Sequence, residues 1–230
     1  MTVSHLATQL PRFLTWYNAA FLVQAAALTL ALSALGSIVG IVCGGGIAVL
    51  RRTTGWPLAP LRAVGILYVE LFRRIPFLVT LLLVFYATQL GGYQMPLFAI
   101  GAVAVSLIST AYLAEIVRAG LASVHANQWH SAAVANFSLW QTLRLVIVPQ
   151  AWPVVLPPAF GFFVMFLKDT ALASQIGVVE LTYAGKTLNN RGFAPLLTFG
   201  AVLILYFAMS YPLTLLGRRL EARFARPRHR

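Results

Sequence analysis

The run FLVQAAALTLALSALGSIVGIVCGGGIAVL, residues 21–50, contains no charged side chain. A helix of about 20 apolar residues is enough to cross the roughly 30 Å of hydrocarbon in a bilayer, so this run predicts a membrane-spanning helix. Gly36, Gly40 and Gly44 recur at every fourth position. That spacing predicts a face on which a second helix packs closely, although glycine is also common in such helices for other reasons.

The composition of the whole chain agrees with a membrane protein. Of its 230 residues 60% are hydrophobic and 10% are charged, whereas soluble domains have about 45–50% and 25%. We therefore predict an all-α integral membrane protein. The net charge is +12, but the basic residues lie at the ends of apolar runs and no aromatic-basic groove motif accompanies them. This distribution favours contact with membrane lipid and no nucleic-acid partner.

Hydropathy predicts a single transmembrane domain over residues 21–217, with about five transmembrane helices. Their approximate bounds are 21–50, 64–90, 97–118, 145–167 and 193–216. Residues 1–20 are expected to form an extracytoplasmic N-terminal segment, and residues 218–230 a basic cytoplasmic tail.

The distribution of basic residues predicts the orientation of these spans. With five spans the termini lie on opposite sides, and the side that carries the tail then holds 13 arginines, against 4 lysines and arginines on the other. Because basic residues are enriched on the cytoplasmic side, we expect the N-terminus outside and the C-terminus inside. Residues 123–144, between the third and fourth spans, then face the cytoplasm.

This cytoplasmic segment, SVHANQWHSAAVANFSLWQTLR, is polar and has Arg144 as its only formal charge. Gln128 to Ala135 can form a short helix with Trp129 and alanines on one face. Asn136 tolerates a left-handed backbone and is expected to end it. Ser138 and Gln141 have the spacing of a capping box that starts a second helix, and Pro149 is expected to limit that helix. Such a hairpin either fits a groove on a partner or lies at the headgroup boundary.

Residues 115–181 resemble the permease signature of polar amino-acid ABC importers. The matching positions include the following residues: Glu115, Arg118, Gln128, Ala132, Ser138, Gln141, Thr142, Pro149, Gln150, Pro157, Pro158, Lys168, Asp169, Thr170, Ser174, Gly177, Glu180 and Leu181. Upstream, YVELFRRIPFLV resembles a family motif in which Glu-x-x-Arg is followed by a proline. The matching residues here are Glu70, Arg73 and Pro76.

The resemblance implies the transmembrane domain of a type I ABC importer in the bacterial inner membrane. Its partners would be separate ABC ATPase subunits, a second permease copy or a paralogue, and an extracytoplasmic amino-acid-binding protein. ATP and Mg would be bound by the ATPase, and no cofactor by this chain, which has no G-x-x-x-x-G-K-[ST] loop and is expected not to be an enzyme. The ATPase-coupling loop would include Gln128, Trp129, His130, Ser131, Ala132, Asn136 and Ser138.

The loop departs from the family pattern at several positions. His130 stands where the family has glutamate, Ser131 replaces an alanine, and Asn127 and Asn136 replace glycines. Because His130 carries no fixed negative charge and charge complementarity governs partner choice, we expect a dedicated ATPase.

Two further groups of residues are candidates for function. Glu115 and Arg118 are three apart on one helix face and are expected to brace the loop. The candidate translocation pathway comprises Pro157, Pro158, Lys168, Asp169, Tyr86 and Tyr112. Prolines are tolerated where a membrane helix lines a cavity, but also where it is buried in protein. Lys168 and Asp169 are equally suited to an interfacial anchor, and the tyrosines to an aromatic belt.

Two other functions are alternatives to the importer subunit. A secondary amino-acid transporter requires ionisable residues deep in the bilayer and an internal repeat, and neither is clear here. An intramembrane enzyme requires a catalytic or metal-binding cluster, but no such spacing occurs and the only cysteine is Cys43. No catalytic residue and no metal site are therefore predicted.

Overall fold

The structure, a computed structural model, describes residues 3–53 and 55–224; the first two residues and the last six of the basic tail lie outside these ranges. Within them, the regular secondary structure is helical and no strand occurs. The α-helices are α1 (Val3–Phe13), α2 (Trp16–Leu50), α3 (Ala59–Arg74), α4 (Phe77–Leu90), α5 (Leu97–Ala122), α6 (Ala126–Val134), α7 (Leu139–Gln141), α8 (Val148–Asp169), α9 (Leu181–Asn190) and α10 (Pro195–Phe224). Short 3-10 helices cover Trp56–Leu58 and Thr170–Ile176, and a π-helical turn covers Thr142–Ile147.

Four helical stretches of the described chain are long and apolar enough to cross a membrane. They are Trp16–Leu50, Leu97–Ala122, Leu139–Ile176 and Pro195–Phe224. The second predicted span, residues 64–90, is not one helix. Ile75 has an extended backbone because a residue that precedes proline is disfavoured in the helical region. The apolar part of this span is α4, whose 14 residues extend about 21 Å.

Contacts divide the chain into two compact units. The first unit contains the chain up to Gly36, Pro76–Ser106 and Val164–Leu213; the second contains Ser37–Ile75, Leu107–Phe163 and the chain from Thr214 onwards. The long helices α2, α5, α8 and α10 contribute residues to both.

The core of the first unit includes a helix that the sequence analysis did not predict. In α1, Gln9 accepts a hydrogen bond from the backbone N–H of Ala194 at 2.7 Å and donates one to the carbonyl of Gly192 at 3.3 Å. Phe13 is buried and lies edge-on to Phe193, with 5.4 Å between ring centroids. Within the expected N-terminal segment, α1 is thus an amphipathic helix docked on the connection between α9 and α10, whereas residues 16–20 already belong to α2.

The second unit is held together partly by a close approach of α2 and α5. A Cβ atom at Gly44 would lie 2.6 Å from the backbone nitrogen of Ala114, and one at Gly40 would lie 2.8 Å from the carbonyl carbon of Ser109. Both distances are shorter than a methyl group permits. The predicted close-packing role of these glycines is therefore confirmed: the absence of a side chain lets the two backbones meet.

Candidate functional site

The polar segment between α5 and α8 begins with a capped helix, α6. The imidazole Nδ1 of His125 accepts a hydrogen bond from the backbone N–H of Asn127 at 3.2 Å, which satisfies one of the donors left free at a helix start. Farther along, the side chain of Gln150 donates to the carbonyl of Val146 and to Oε1 of Gln128, at 2.8 Å and 3.3 Å. The bond to Gln128 ties α6 to the beginning of α8.

The turn after α6 has the conformation that the sequence predicts. Asn136 has a φ of 56°, the one positive value among non-glycine residues that the structure describes. The N–H of Phe137 donates to the carbonyl of Ala132 at 3.0 Å, which closes the helix end. The predicted capping box is also present: Ser138 Oγ accepts from the N–H of Gln141, and Gln141 Oε1 accepts from the N–H of Ser138.

The second helix of this hairpin does not stop before the next span. The helical backbone is continuous from Leu139 to Ile176, so the prediction that Pro149 limits it is wrong. Proline lacks a donor and clashes in a regular helix interior, but a local π-helical adjustment makes it tolerable in a membrane helix, and Pro149 lies two residues after the π-helical turn Thr142–Ile147. The π-helical turn just before it accommodates the change of register.

The face of α6 that carries Trp129 and Ala132 points inward. Trp129 packs on the core that contains Leu121 and Leu143, and Ala132 is buried. The guanidinium carbon of Arg52 lies 4.2 Å from the centre of the Trp129 ring, a cation–π contact. These side chains fasten α6 to the spans of its own chain because large apolar groups are most stable out of water.

A different surface of the hairpin is left open. His130 and Ser131 are exposed on α6, and Val134 is 88% exposed. After the turn, Leu139 and Trp140 are 52% and 68% exposed. We call Val134, Phe137 and Trp140, together with His130, the outer face of the hairpin. The outer face thus presents both apolar and polar side chains on two capped helices.

Glu115, at the start of the last two turns of α5, forms ion pairs with three arginines. Its carboxylate accepts hydrogen bonds from Nε of Arg118 at 3.0 Å and from Nη1 of Arg51 at 3.1 Å. Arg73 Nη1 lies 3.9 Å from Oε2. The predicted pairing of Glu115 with Arg118 is confirmed, and the two additional arginines connect the ends of α2 and α3 to α5. One carboxylate thus joins three helices directly before the hairpin.

Tyr112 belongs to the surroundings of this cluster. Its hydroxyl donates to the carbonyl of Arg73 at 3.4 Å, and its ring lies parallel to that of Phe162 with 5.3 Å between centroids. Because its ring and hydroxyl are both engaged, Tyr112 helps to hold α3 and α8 to α5.

The structure distributes the other candidate pathway residues between the two units. Tyr86, Lys168 and Asp169 lie in the first unit, and Pro157 and Pro158 lie within α8 in the second. Tyr86 and Lys168 are exposed, and Asp169 is half-buried. Within the described residues Lys168 and Asp169 form no ion pair closer than 4.0 Å. Their assignment to a pathway stays a prediction.

Glu180 is a buried carboxylate that the sequence analysis matched only as part of the signature. It caps α9 by accepting from the N–H groups of Thr182 and Tyr183 at 2.9 Å and 2.7 Å, and it accepts from the hydroxyl of Tyr206 at 3.0 Å. Burial raises the pKa of Glu180, and these hydrogen bonds act in the opposite direction. This network links α9 and α10 in the first unit.

The residues that the sequence analysis missed are those with distant partners. The sequence identifies Arg51 and Arg52 only as basic residues at the ends of apolar runs, and Arg73 only as a match to the upstream motif. Their partners lie 64 positions away for Arg51 and 77 positions away for Arg52, counted to Trp129. No local spacing indicates such pairs. For α1, in contrast, a signal was present: Leu6, Leu10 and Phe13 recur at steps of four and three, the period of an amphipathic helix.

Comparison with known sequences gives close agreement over most of the chain. Residues 36–226 match the family described as the inner membrane component of binding-protein-dependent transport systems. The glutamine transport system permease protein GlnP of Escherichia coli K12 is 31% identical over 210 residues, covering 90% of this chain and 94% of that protein. The arginine ABC transporter permease protein ArtQ of Haemophilus influenzae is 31% identical over 211 residues, covering 88% and 92%.

Solved structures share the fold. A crystal structure of an amino acid ABC transporter with histidines matches with a TM-score of 0.82 and 28% identity, over 97% of this chain and all of that chain. The inward-facing MetNI methionine ABC transporter matches with a TM-score of 0.76 at 20% identity, over 92% and 99%. The predicted all-α fold of a type I ABC importer membrane domain is thereby confirmed. The chain belongs to the family of inner membrane components of binding-protein-dependent transport systems.

Proposed function

We propose that this chain is the permease subunit of an ATP-driven importer for polar amino acids, and that residues 123–144 couple it to the ATPase. In its family the ATPase is a separate subunit and the permease lies in the inner membrane. Relatives named as glutamine and arginine permeases support an amino acid as the solute. ATP and Mg bind to the ATPase, and this chain holds no cofactor and hydrolyses nothing itself.

The observation that supports coupling most directly is the number of contacts that hold the hairpin to the helices of its own chain. Its first helix is capped at both ends and fixed by Trp129 to the spans, and Glu115 joins α2, α3 and α5 where the hairpin starts. A force applied to the outer face is therefore passed to several helices rather than absorbed by a soft loop. Exposed apolar groups such as Val134 and Trp140 suit a protein partner.

The remaining partners follow from the same assignment. The chain works with a second permease copy or a paralogue, and an extracytoplasmic amino-acid-binding protein delivers the solute. The N-terminus lies outside and the C-terminus inside, since the 13 arginines then face the cytoplasm. Tyr86, Tyr112, Pro157, Pro158, Lys168 and Asp169 are candidates for the translocation pathway.

His130 sets the choice of ATPase. It is exposed on the outer face, where the family pattern has a glutamate, so the ATPase groove of this system is not required to supply a positive charge there. We expect His130→Glu to reduce ATPase stimulation and transport with the cognate ATPase. Unchanged activity, combined with equal coupling by a generic family ATPase, contradicts a dedicated partner.

Docking is tested by co-purification of the affinity-tagged chain with its ATPase. Val134→Asp places a charge on the outer face. The amount of co-purified ATPase is expected to fall about tenfold or more, because an unpaired charge in an interface costs several kcal/mol. Tyr93→Asp is the matched control: Tyr93 is also an exposed large side chain, at 68%, but in the connection between α4 and α5. Equal retention of the ATPase by the wild type and both variants rules out docking through the outer face.

A further inference from the structure

An apolar groove lies beside the beginning of α2 in the first unit. Its volume is about 230 Å³, and its lining includes Phe13, Leu14, Leu22, Val23, Ala201 and Ile204. Phe13 and Leu22 are buried and form the floor, whereas Leu14, Val23 and Ile204 are between 62% and 67% exposed. The groove is therefore open to the surroundings of the protein along an entirely hydrocarbon rim.

Along the helices, the groove lies at the depth of the acyl-chain carbons that are nearest to the lipid headgroup. Ala201 and Ile204 lie about 9–14 Å from the start of α10, at 1.5 Å per residue. Trp16 and Tyr17, the first residues of α2, are 80% and 85% exposed. Aromatic side chains of this kind concentrate at the membrane–water interface, so the groove begins just below the level of the lipid headgroups.

A positive charge is available next to the groove. Arg12 is exposed and directly precedes Phe13 and Leu14, and the carbonyls of Arg12 and Phe13 both accept from the buried side chain of Asn18. The turn that carries the arginine is thereby fixed to α2. In the described part of the chain no carboxylate lies within 4.0 Å of the Arg12 guanidinium, which leaves this charge free for an anion.

We propose that this site binds one anionic phospholipid, with its phosphate on Arg12 and one acyl chain in the groove. The amphipathic helix α1 is suited to the interface, and Gln9 fixes it to the start of α10. Neither the groove nor Arg12 takes part in the proposed coupling to an ATPase. The lipid stabilises the junction of α1, α2 and α10.

Native mass spectrometry of the purified full chain tests this proposal with equimolar dioleoyl phosphatidylglycerol and dioleoyl phosphatidylcholine. One arginine near an anionic lipid surface favours binding by about fivefold, so the wild type is expected to retain one phosphatidylglycerol with about that preference. Arg12→Gln is expected to abolish the preference. Ala201→Phe fills the groove and is expected to reduce the binding of both lipids.

Two control variants separate this site from general lipid contact. Arg191→Gln removes an exposed arginine whose guanidinium lies over Phe21; Phe21 lies on a different face of α2 from Leu22 and Val23, at about 100° per residue. Leu203→Phe adds an aromatic ring to the exposed surface of α10 outside the groove. Both are expected to behave as the wild type.

Three results overturn the proposal, and the first requires no variant. They are equal retention of the two lipids by the wild type, an equal loss of preference in Arg191→Gln and Arg12→Gln, and wild-type lipid retention by Ala201→Phe. Because ATPase co-purification is measured separately, these results leave the proposed transport function untouched.

Discussion

Nη1 of Arg51 lies 3.1 Å from Oε2 of Glu115, and this contact joins the end of α2 to α5 across 64 positions of sequence. The same carboxylate also forms ion pairs with Arg118 of its own helix and with Arg73 of α3. The ionic cluster therefore joins α2, α3 and α5 shortly before the hairpin, and the proposed coupling depends on it for stiffness.

Removal of the central charge is expected to weaken this junction. Glu115→Gln leaves three arginines without their shared counter-charge, and we expect a loss of about 1–2 kcal/mol, between the values for exposed and buried pairs. Thermal unfolding in detergent would then show a melting temperature about 2–8 °C lower. The control is Glu70→Gln, which breaks the exposed pair with Arg74 and is expected to have little effect; an equal shift in both variants contradicts a special role of Glu115.

The close contact of α2 with α5 gives a second prediction. Gly44→Ala places a methyl group 2.6 Å from the backbone of Ala114, and forced overpacking of this kind costs about 1–3 kcal/mol. Gly45→Ala is the matched control because a Cβ there meets nothing within 4 Å. Thermal unfolding should show a lower melting temperature for the first variant alone; the prediction fails if Gly45→Ala is destabilised to the same extent.

Asn136, which has a left-handed backbone conformation in the hairpin, gives a third prediction. In Asn136→Ala, the alanine has a Cβ atom and no polar side chain but must keep a φ of 56°. This conformation is expected to lower the stability of the turn by about 1 kcal/mol. Backbone amides of α6 are then expected to exchange hydrogen about fivefold faster. Asn136→Gly should exchange at the wild-type rate or more slowly, and faster exchange in both variants would mean that the turn depends on the asparagine side chain.

Glu180 predicts how stability depends on pH. Burial raises its pKa above the ordinary 4.5, so the folded protein holds this proton at a pH where the unfolded chain has lost it. Stability is therefore highest below pH 4.5 with respect to this group and falls as pH rises through the raised pKa. Glu180→Gln should remove that fall in a series of melting curves, whereas the exposed Glu221→Gln should retain it; a wild type that gains stability over this interval relative to Glu180→Gln contradicts the sign.

Local features of the chain were predicted well because each is decided by a few neighbouring residues. The turn at Asn136 and the capping box of Ser138 and Gln141 depend on backbone preferences and on hydrogen bonds within four positions. The pairing of Glu115 with Arg118 is of the same kind.

Which residues contact each other over long distances in the sequence was not predicted. The sequence shows that α6 has an aromatic face, but whether Trp129 points to a partner or to the chain's own core depends on where Arg52 and Leu121 lie in space. The break before Pro76 had local signals in the proline itself and in Arg73 and Arg74, but the sequence analysis placed all three within one span because the residues after them are apolar.

The central claim is that the outer face of the hairpin lies in the cytoplasm and is covered by the ATPase. A single cysteine at position 130, introduced as His130→Cys together with Cys43→Ala, can be treated in sealed vesicles of known orientation with a membrane-impermeant thiol reagent. We predict labelling only from the cytoplasmic side, and protection when the ATPase is bound. Labelling from the external side, or labelling that bound ATPase does not reduce, contradicts the account.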